Sequence, residues 1–314
     1  MKYLKLFVCI VLIITLFSGC SFRLASSVND LISAVAPFGE NADVKSALDS
    51  FMSNGYSLKN PSSGEYITSY NFYDLDGDDK EEAVAFYEPN DNLGTIRMAI
   101  IKEYSGKWKV VSDISGYGDD AYRLDFADVN NDGKDEIIVC WNTVSNSNSH
   151  SFVVYNLKFE DKKFEINQIN NDDFYLNNYV IVDFKQKGNN EILMFEINSG
   201  TKTSAKAELY SVNNNEFKLK GETKLDSRVI SYRNINVEKA EGDIRVYADA
   251  IGSNGDSIRT EVIYWSNMYN SIVSPFYSYS TGRTSGTSRG CLVNSSDIND
   301  DGRIEIPTDV SVKG

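Results

Sequence analysis

A nine-residue acidic pattern occurs three times in this chain: Asp74-Leu-Asp-Gly-Asp-Asp-Lys-Glu-Glu82, Asp128-Val-Asn-Asn-Asp-Gly-Lys-Asp-Glu136 and Asp297-Ile-Asn-Asp-Asp-Gly-Arg-Ile-Glu305. Oxygen-bearing side chains stand at its first, third and fifth positions, a backbone carbonyl is available at the seventh, and a glutamate closes it. A tightly turning loop with that spacing aims alternate oxygens inward, which suits a hard cation such as Ca²⁺ that gathers about six to eight of them. In an EF-hand the closing glutamate comes later and a helix follows. Here the acid leads into Ala83-Val-Ala-Phe-Tyr87 or Ile137-Ile-Val-Cys-Trp141, β-branched and aromatic runs that read as strands. Each loop therefore joins two strands. One Asp/Asn/Gly cluster alone is an ordinary solvated turn. Three copies with the same closing acid and the same apolar flanks predict calcium loops. The first is the weaker, because Asp79 stands where the others carry the glycine that best tolerates positive φ.

The pattern also sets a period. Its leading aspartates fall at 74 and 128, and a decayed copy begins at Asp183, a repeat of about 55 residues. In that copy Lys185 and Lys187 occupy cation-facing positions, so no metal is expected. A fourth copy, between Ile235 and Asp243, keeps only Asp243. Each period predicts four short strands: in the second, Tyr122 to Ala127, Glu136 to Trp141, Ser151 to Phe159 and Lys163 to Ile169. The third runs Tyr179 to Asp183, Glu191 to Asn198, Ala205 to Val212 and, after an Asn213-Asn214 turn, Glu216 to Thr223, with a fourth set from Val229 to Tyr277. The expected fold is all-β, a β-propeller of four-stranded blades with about four and a half repeats, incomplete as it stands. Its fifth unit, starting at Asp297, lacks room for its last two strands, which predicts a truncated form or an open arc. One short helix precedes the repeats, with Asn41 as N-cap, a stripe of Val44, Leu48, Phe51 and Met52, and Gly55 as terminator.

At the front, Lys2 and Lys5 precede an apolar run from Leu6 to Phe17 and then Ser18-Gly19-Cys20. The run is too short to span a bilayer and reads as a signal-peptide core. The predicted organisation is a signal peptide over 1–19, a tether over 20–40, the helix and its lead-in over 41–64, and repeats over 65–314. A net charge of −14 argues against nucleic acid or anionic lipid headgroups as partners. The one histidine, His150, leaves a His₃ zinc site or a His-dependent triad without components. Cys140 and Cys291 are expected as buried free thiols.

These motifs resemble the FG-GAP and VCBS repeats, integrin-α-like β-propeller units that carry a calcium loop between their first two strands, and the small residues before Cys20 resemble a bacterial lipobox. The resemblance implies a lipid-anchored protein, palmitoylated at Cys20, on the extracytoplasmic face of the cell membrane. It implies Ca²⁺ ligands Asp74, Asp76, Asp78 and Glu82; Asp128, Asn130, Asp132 and Glu136; and Asp297, Asn299, Asp301 and Glu305. Lys80, Lys134 and Arg303 would contribute only backbone oxygens. The ion's expected role is structural. The expected function is a cell-surface binding or adhesion module for a carbohydrate or protein ligand, with Ser274 to Arg289, rich in tyrosine and arginine, as its contact surface. The alternative is a propeller-based polysaccharide lyase or hydrolase. Its only spare acid pair would be Asp119 and Asp120, for no nucleophile elbow, phosphate loop or CxxC is present.

Overall fold

A computed structural model of the chain describes residues 39–143, 146–160, 163–169, 174–198, 204–240, 242–255 and 257–309. The signal peptide, most of the tether and Cys20 lie outside the described residues. The chain divides at Ala42 into two compact units, and the second, Asp43–Gly314, holds every strand found among the described residues. No helix among the described residues is long and apolar enough to cross a membrane.

The helix, α1 (Glu40–Phe51), begins one residue before the predicted cap. Asn41 is already helical, and Gly39 precedes the first turn and accepts the Ala42 N–H at 3.0 Å. Val44 and Leu48 are buried, whereas Phe51, expected on the same stripe, is exposed. The helix stops where Gly55 takes φ 78° and donates to the Met52 carbonyl.

The rest is all-β, with antiparallel sheets built as meanders of strands adjacent in sequence. The first sheet contains β1 (Tyr56–Lys59), β2 (Asn71–Tyr73), β3 (Glu82–Pro89), β4 (Arg97–Tyr104) and β5 (Lys107–Ser115). β1 and β2 both pair with β3, at Phe86–Pro89 and Glu82–Val84, so together they fill one strand lane. The second comprises β6 (Asp120–Ala127), β7 (Glu136–Thr143), β8 (Asn146–Glu160), β9 (Lys163–Gln168) and β10 (Phe174–Leu176). There the outer lane is divided, β9 and β10 both lying against β8.

The third is β11 (Asn178–Val182), β12 (Glu191–Asn198), β13 (Ser204–Asn213) and β14 (Glu216–Leu225). The fourth is β15 (Val229–Ala240), β16 (Asp243–Gly252), β17 (Ile258–Ser266) and β18 (Ser271–Val273). A short hairpin, β19 (Tyr277–Ser278) and β20 (Arg283–Thr284), follows. The β13–β14 turn falls on Asn214 and Asn215, both with positive φ, one residue later than predicted; this is the backbone a two-residue hairpin turn demands.

Strand alternation explains how the sheets meet. On β7, Ile137, Val139 and Trp141 pack against Val84, Phe86 and Met98 of the first sheet, while Ile138 and Cys140 join Ile192 and Met194 of the third. On β12 the intervening Leu193 and Phe195 face Val246 and Ala248 of the fourth. Both faces of these strands are buried, which is why they read as continuous apolar runs rather than alternating ones. The clusters join sheets that are neighbours in the chain. The far face of the first sheet, Ala83, Ala85 and Tyr87, is covered by Val44 and Leu48 of α1.

The far face of the fourth sheet is polar. Arg289, fully buried, donates to Asp249 Oδ1 at 3.1 Å and Thr260 Oγ1 at 2.9 Å, and the Ser295 N–H donates to Asp249 Oδ2 at 2.7 Å. The segment after β20 is thereby clamped onto that face. Cys140 is buried, and Cys291 is exposed rather than buried; both are free. His150 stacks on Tyr122 with rings 3.6 Å apart, and burial lowers its pKa to about 4, so it is neutral.

Candidate metal centres

Each acidic loop enters from the first strand lane of its sheet and leaves into the second: β2 to β3, β6 to β7, and, at the C-terminal end, from Ser296 to Glu305, which pair as an isolated bridge. Their backbones follow one frame. Asp74 Oδ2 accepts the Asp79 N–H at 3.0 Å, Asp128 Oδ2 the Gly133 N–H at 2.9 Å, and Asp297 Oδ2 the Gly302 N–H at 2.7 Å. The closing glutamate reaches back to the second residue: Glu82 to the Leu75 N–H, Glu136 to Val129 and Glu305 to Ile298, at 2.9, 3.0 and 2.9 Å.

Positive φ recurs at the fourth and sixth positions: Gly77 and Asp79, Asn131 and Gly133, Asp300 and Gly302. Asp79 therefore adopts the conformation expected of glycine, at φ 63°. Asp, Asn and Gly bear that backbone at the least steric cost. Fifth-position carboxylates hold the loops from within, since Asp78, Asp132 and Asp301 each accept the N–H two residues on, at 3.0, 2.9 and 2.9 Å.

The loops differ in their charge. In the first, the ligand oxygens of Asp74, Asp76 and Asp78 all lie within 4.8 Å of one another. Against the last two of them sits the ammonium of Lys102 from β4. It lies 3.0 Å from Asp76 and 2.9 Å from Asp78, and donates as well to Glu82 Oε1. Burial pulls the Lys102 pKa down, but the hydrogen bonds to Glu82, Asp78 and Asp76 outweigh it and the group is held charged. Burial raises the pKa of Glu82, against the pull of Lys102 and the Leu75 N–H.

In the second loop no lysine or arginine pairs with a carboxylate among the described residues. Glu136 Oε1 accepts from Asn130 Nδ2 at 2.7 Å and from Asn156 Nδ2 at 3.3 Å. Burial pushes Glu136 up to about 7; the Val129 and Asn130 N–H groups oppose this, and Asp132 and Asp128 add to it. Oxygens of Asp128, Asn130, Asp132 and Glu136 with uncompensated charge are a donor set that fits a hard dication. The third loop repeats the geometry in a more exposed setting, with Asn299 Oδ1 accepting the Asp301 N–H at 3.0 Å.

The decayed copy keeps the frame without the ligands. Asp183 Oδ2 accepts the Gly188 N–H at 2.6 Å, and Gln186 and Gly188 take positive φ. Lys185 turns away, its ammonium 3.9 Å from the centre of the Trp265 ring. In the fourth sheet the loop has shrunk to the β15–β16 turn, and Asp243 pairs with Arg245 at 2.6 Å. The loops line one edge of the stack and touch in succession. Tyr73 donates to Asp135, Asn190 Nδ2 to the Asp128 carbonyl at 2.9 Å, Gln186 to the Ala240 carbonyl at 3.4 Å, and the Ile304 N–H to Glu238 at 2.7 Å.

Of the predicted contact surface, Arg289 belongs to the clamp described above and cannot meet a ligand. Thr284 is likewise buried, bound to Glu261 at 2.7 Å. What remains open is a cleft of about 830 Å³ between the outer strands of the third sheet and the β19–β20 hairpin, lined by Lys206, Glu222, Thr223, Tyr277 and Tyr279. Tyr279 is 75% exposed and meets Tyr277 edge-on at 5.1 Å. Of the acid pair Asp119 and Asp120, the Asp120 carboxylate accepts the Ala121 N–H at 2.9 Å, and the Asp119 N–H donates to the Asn142 carbonyl at 3.3 Å. Lys102 was invisible to motif reading because it lies on the neighbouring strand, outside the acidic pattern.

No family model matches the chain, and no curated protein matches it. Among solved structures it is similar to a Bacillus licheniformis rhamnogalacturonan lyase PL11, at 13% identity and a TM-score of 0.37, over 73% of this chain and 52% of that one. The chain thus spans about half the length of that protein.

Proposed function

We propose that this chain is a membrane-tethered, extracytoplasmic binding module whose four sheets are blades of a propeller-like arc locked along one edge by Ca²⁺. The observation that carries this reading is the repeated loop frame, with converging oxygens of Asp128, Asn130, Asp132 and Glu136 and of Asp297, Asn299, Asp301 and Glu305. The Lys134 and Arg303 carbonyls complete each set. Bound Ca²⁺ neutralises the carboxylates crowded at the strand junction; the residues themselves already fix the turn through their bonds to backbone N–H groups. Meander sheets stacked face to face in chain order support the arc, with α1 and the segment after β20 covering its ends. The tether is the lipid expected on Cys20.

The ligand surface is the cleft beside Tyr277 and Tyr279. An exposed aromatic face flanked by Thr223, Lys206 and Glu222 offers a sugar ring a stacking platform and hydrogen-bonding groups, so a carbohydrate is the ligand class it suits. Binding to a panel of polysaccharides, without turnover, is expected to weaken about tenfold or more in Tyr279→Ala, by analogy with hot-spot aromatics. Release of shortened products, abolished by Asp119→Asn or Asp120→Asn, would instead establish the enzymatic alternative. Cys20→Ser is expected to move the protein from the membrane fraction to the soluble fraction, and unchanged sedimentation would sink the lipid anchor.

A further inference from the structure

The first three sheets share a strand register, and it places one residue of the third strand opposite the closing position of each loop. Ala83 pairs with Ile101, Ile137 with Tyr155, and Ile192 with Tyr210, which sets Lys102, Asn156 and Ser211 across from Glu82, Glu136 and Glu191. We propose that the first loop takes no Ca²⁺ because Lys102 is its cation: a covalently supplied ammonium occupies the position that a metal ion takes in the Asp128 and Asp297 loops. This rests on the calcium reading for the other two loops and deepens it, dividing the loops into one self-neutralised and two metal-dependent.

Three observations carry it. Lys102 Nζ lies within hydrogen-bonding reach of Asp76, Asp78 and Glu82, three of the four carboxylates that would ligate a metal. The side chain is 5% exposed and that of Asp76 4%, so neither charge is open to solvent and each depends on the other. The exchange is also paired: at the ligand positions the first loop gains one carboxylate relative to the second, Asp76 for Asn130, and across the register one ammonium, Lys102 for Asn156. A dication bound to those oxygens would meet the ammonium at a few ångströms and be repelled.

The test counts bound Ca²⁺ by native mass spectrometry and calorimetry on the full chain, with Ca²⁺ alone as the probe. Lys102→Asn, which copies the second loop, is expected to bind one ion more than the unsubstituted protein, and Asp78→Asn is expected to leave the unsubstituted count unchanged. A folded Lys102→Asn with no added ion, or an ion lost in Asp78→Asn, overturns the proposal. Should Lys102→Asn not fold, Asn156→Lys serves: it is expected to lose one ion, and an unchanged count overturns the proposal. If the unsubstituted chain binds no Ca²⁺ while Lys102→Asn gains one ion, the calcium reading of the other loops fails and this inference stands. If Asp78→Asn loses an ion, the reverse holds.

Discussion

In the loop Asp74–Glu82 three carboxylates, those of Asp76, Asp78 and Glu82, hold an ammonium from the next strand, whereas in the loop Asp128–Glu136 the neutral Asn156 lies opposite Glu136 in the same register. The backbone does not register the difference: leading aspartate to sixth N–H, closing glutamate to second N–H and positive φ at the fourth and sixth residues recur in both. The decayed loop at Asp183 keeps the first of these bonds and the same φ signs even though Lys185 and Lys187 have replaced its ligands. The turn is thus specified by carboxylate-to-amide bonds, and the source of positive charge is a separate layer that varies from sheet to sheet without unfolding the junction.

The largest effect should come from removing the internal charge. Lys102→Met leaves Asp76 and Glu82 buried without their cation, and breaking a buried pair in this way costs about 3–5 kcal/mol. Urea unfolding in chelator should register the loss, and excess Ca²⁺ should recover most of it. A cost under about 1 kcal/mol would mean that the carboxylates have another source of compensation.

That contrast also marks the limit of what could be read from the chain. The period of the aspartates locates the sheets, and the apolar runs after Glu82 and Glu136 locate their central strands, because strands buried on both faces need no alternation to be recognised. Lys102 sits 20 residues after Glu82 and acts across a strand pair, so its role depends on register, which local pattern does not encode. Arg289 likewise read as a surface cation among serines and glycines, and only the polar face of β16, with Asp249, makes it a buried clamp. The split outer lanes β1/β2 and β9/β10 are set by pairing with β3 and β8, not by any signal of their own.

Glu136 supplies the next test, since nothing cationic opposes its burial. Its folded pKa of about 7 lies above the ordinary value of 4.5, so between those pH values the folded protein holds a proton that the unfolded chain has released. Without metal, stability should therefore fall as pH rises from about 4.5 to about 7, by at most roughly 3 kcal/mol. His150 works in the opposite sense: its pKa is depressed from 6.5 to about 4, and its contribution is lost as pH falls through that window. Glu191 and Glu261 are raised by burial too, so the reading is the difference between the unsubstituted protein and Glu136→Gln. That difference should slope with pH in chelator and flatten in Ca²⁺, which favours the ionised glutamate. No difference in slope in chelator would place Glu136 at an ordinary pKa.

Metal addition comes next in size. A site filled at 100 times its Kd stabilises the folded state by about 2.7 kcal/mol. Asp132→Asn should remove one such increment from the calcium-induced rise in Tm, while Asp78→Asn should leave that rise intact. Equal losses in the two variants would erase the distinction between the loops.

The smallest effect separates the two explanations for the weakness of the first loop as a calcium site. Its sequence suggests Asp79 as the defect, because glycine fills that position in the other loops; the structure suggests Lys102. Asp79 is exposed, sits at φ 63° and donates its N–H to Asp74, so Asp79→Gly relieves left-handed strain without disturbing the frame. Relief of that strain is offset by the greater freedom glycine has in the unfolded chain, leaving a net change of about 0.5 kcal/mol in either direction. The number of Ca²⁺ bound should not change at all. An added ion in Asp79→Gly with Lys102 intact would show that backbone strain, rather than the ammonium, had kept the metal out.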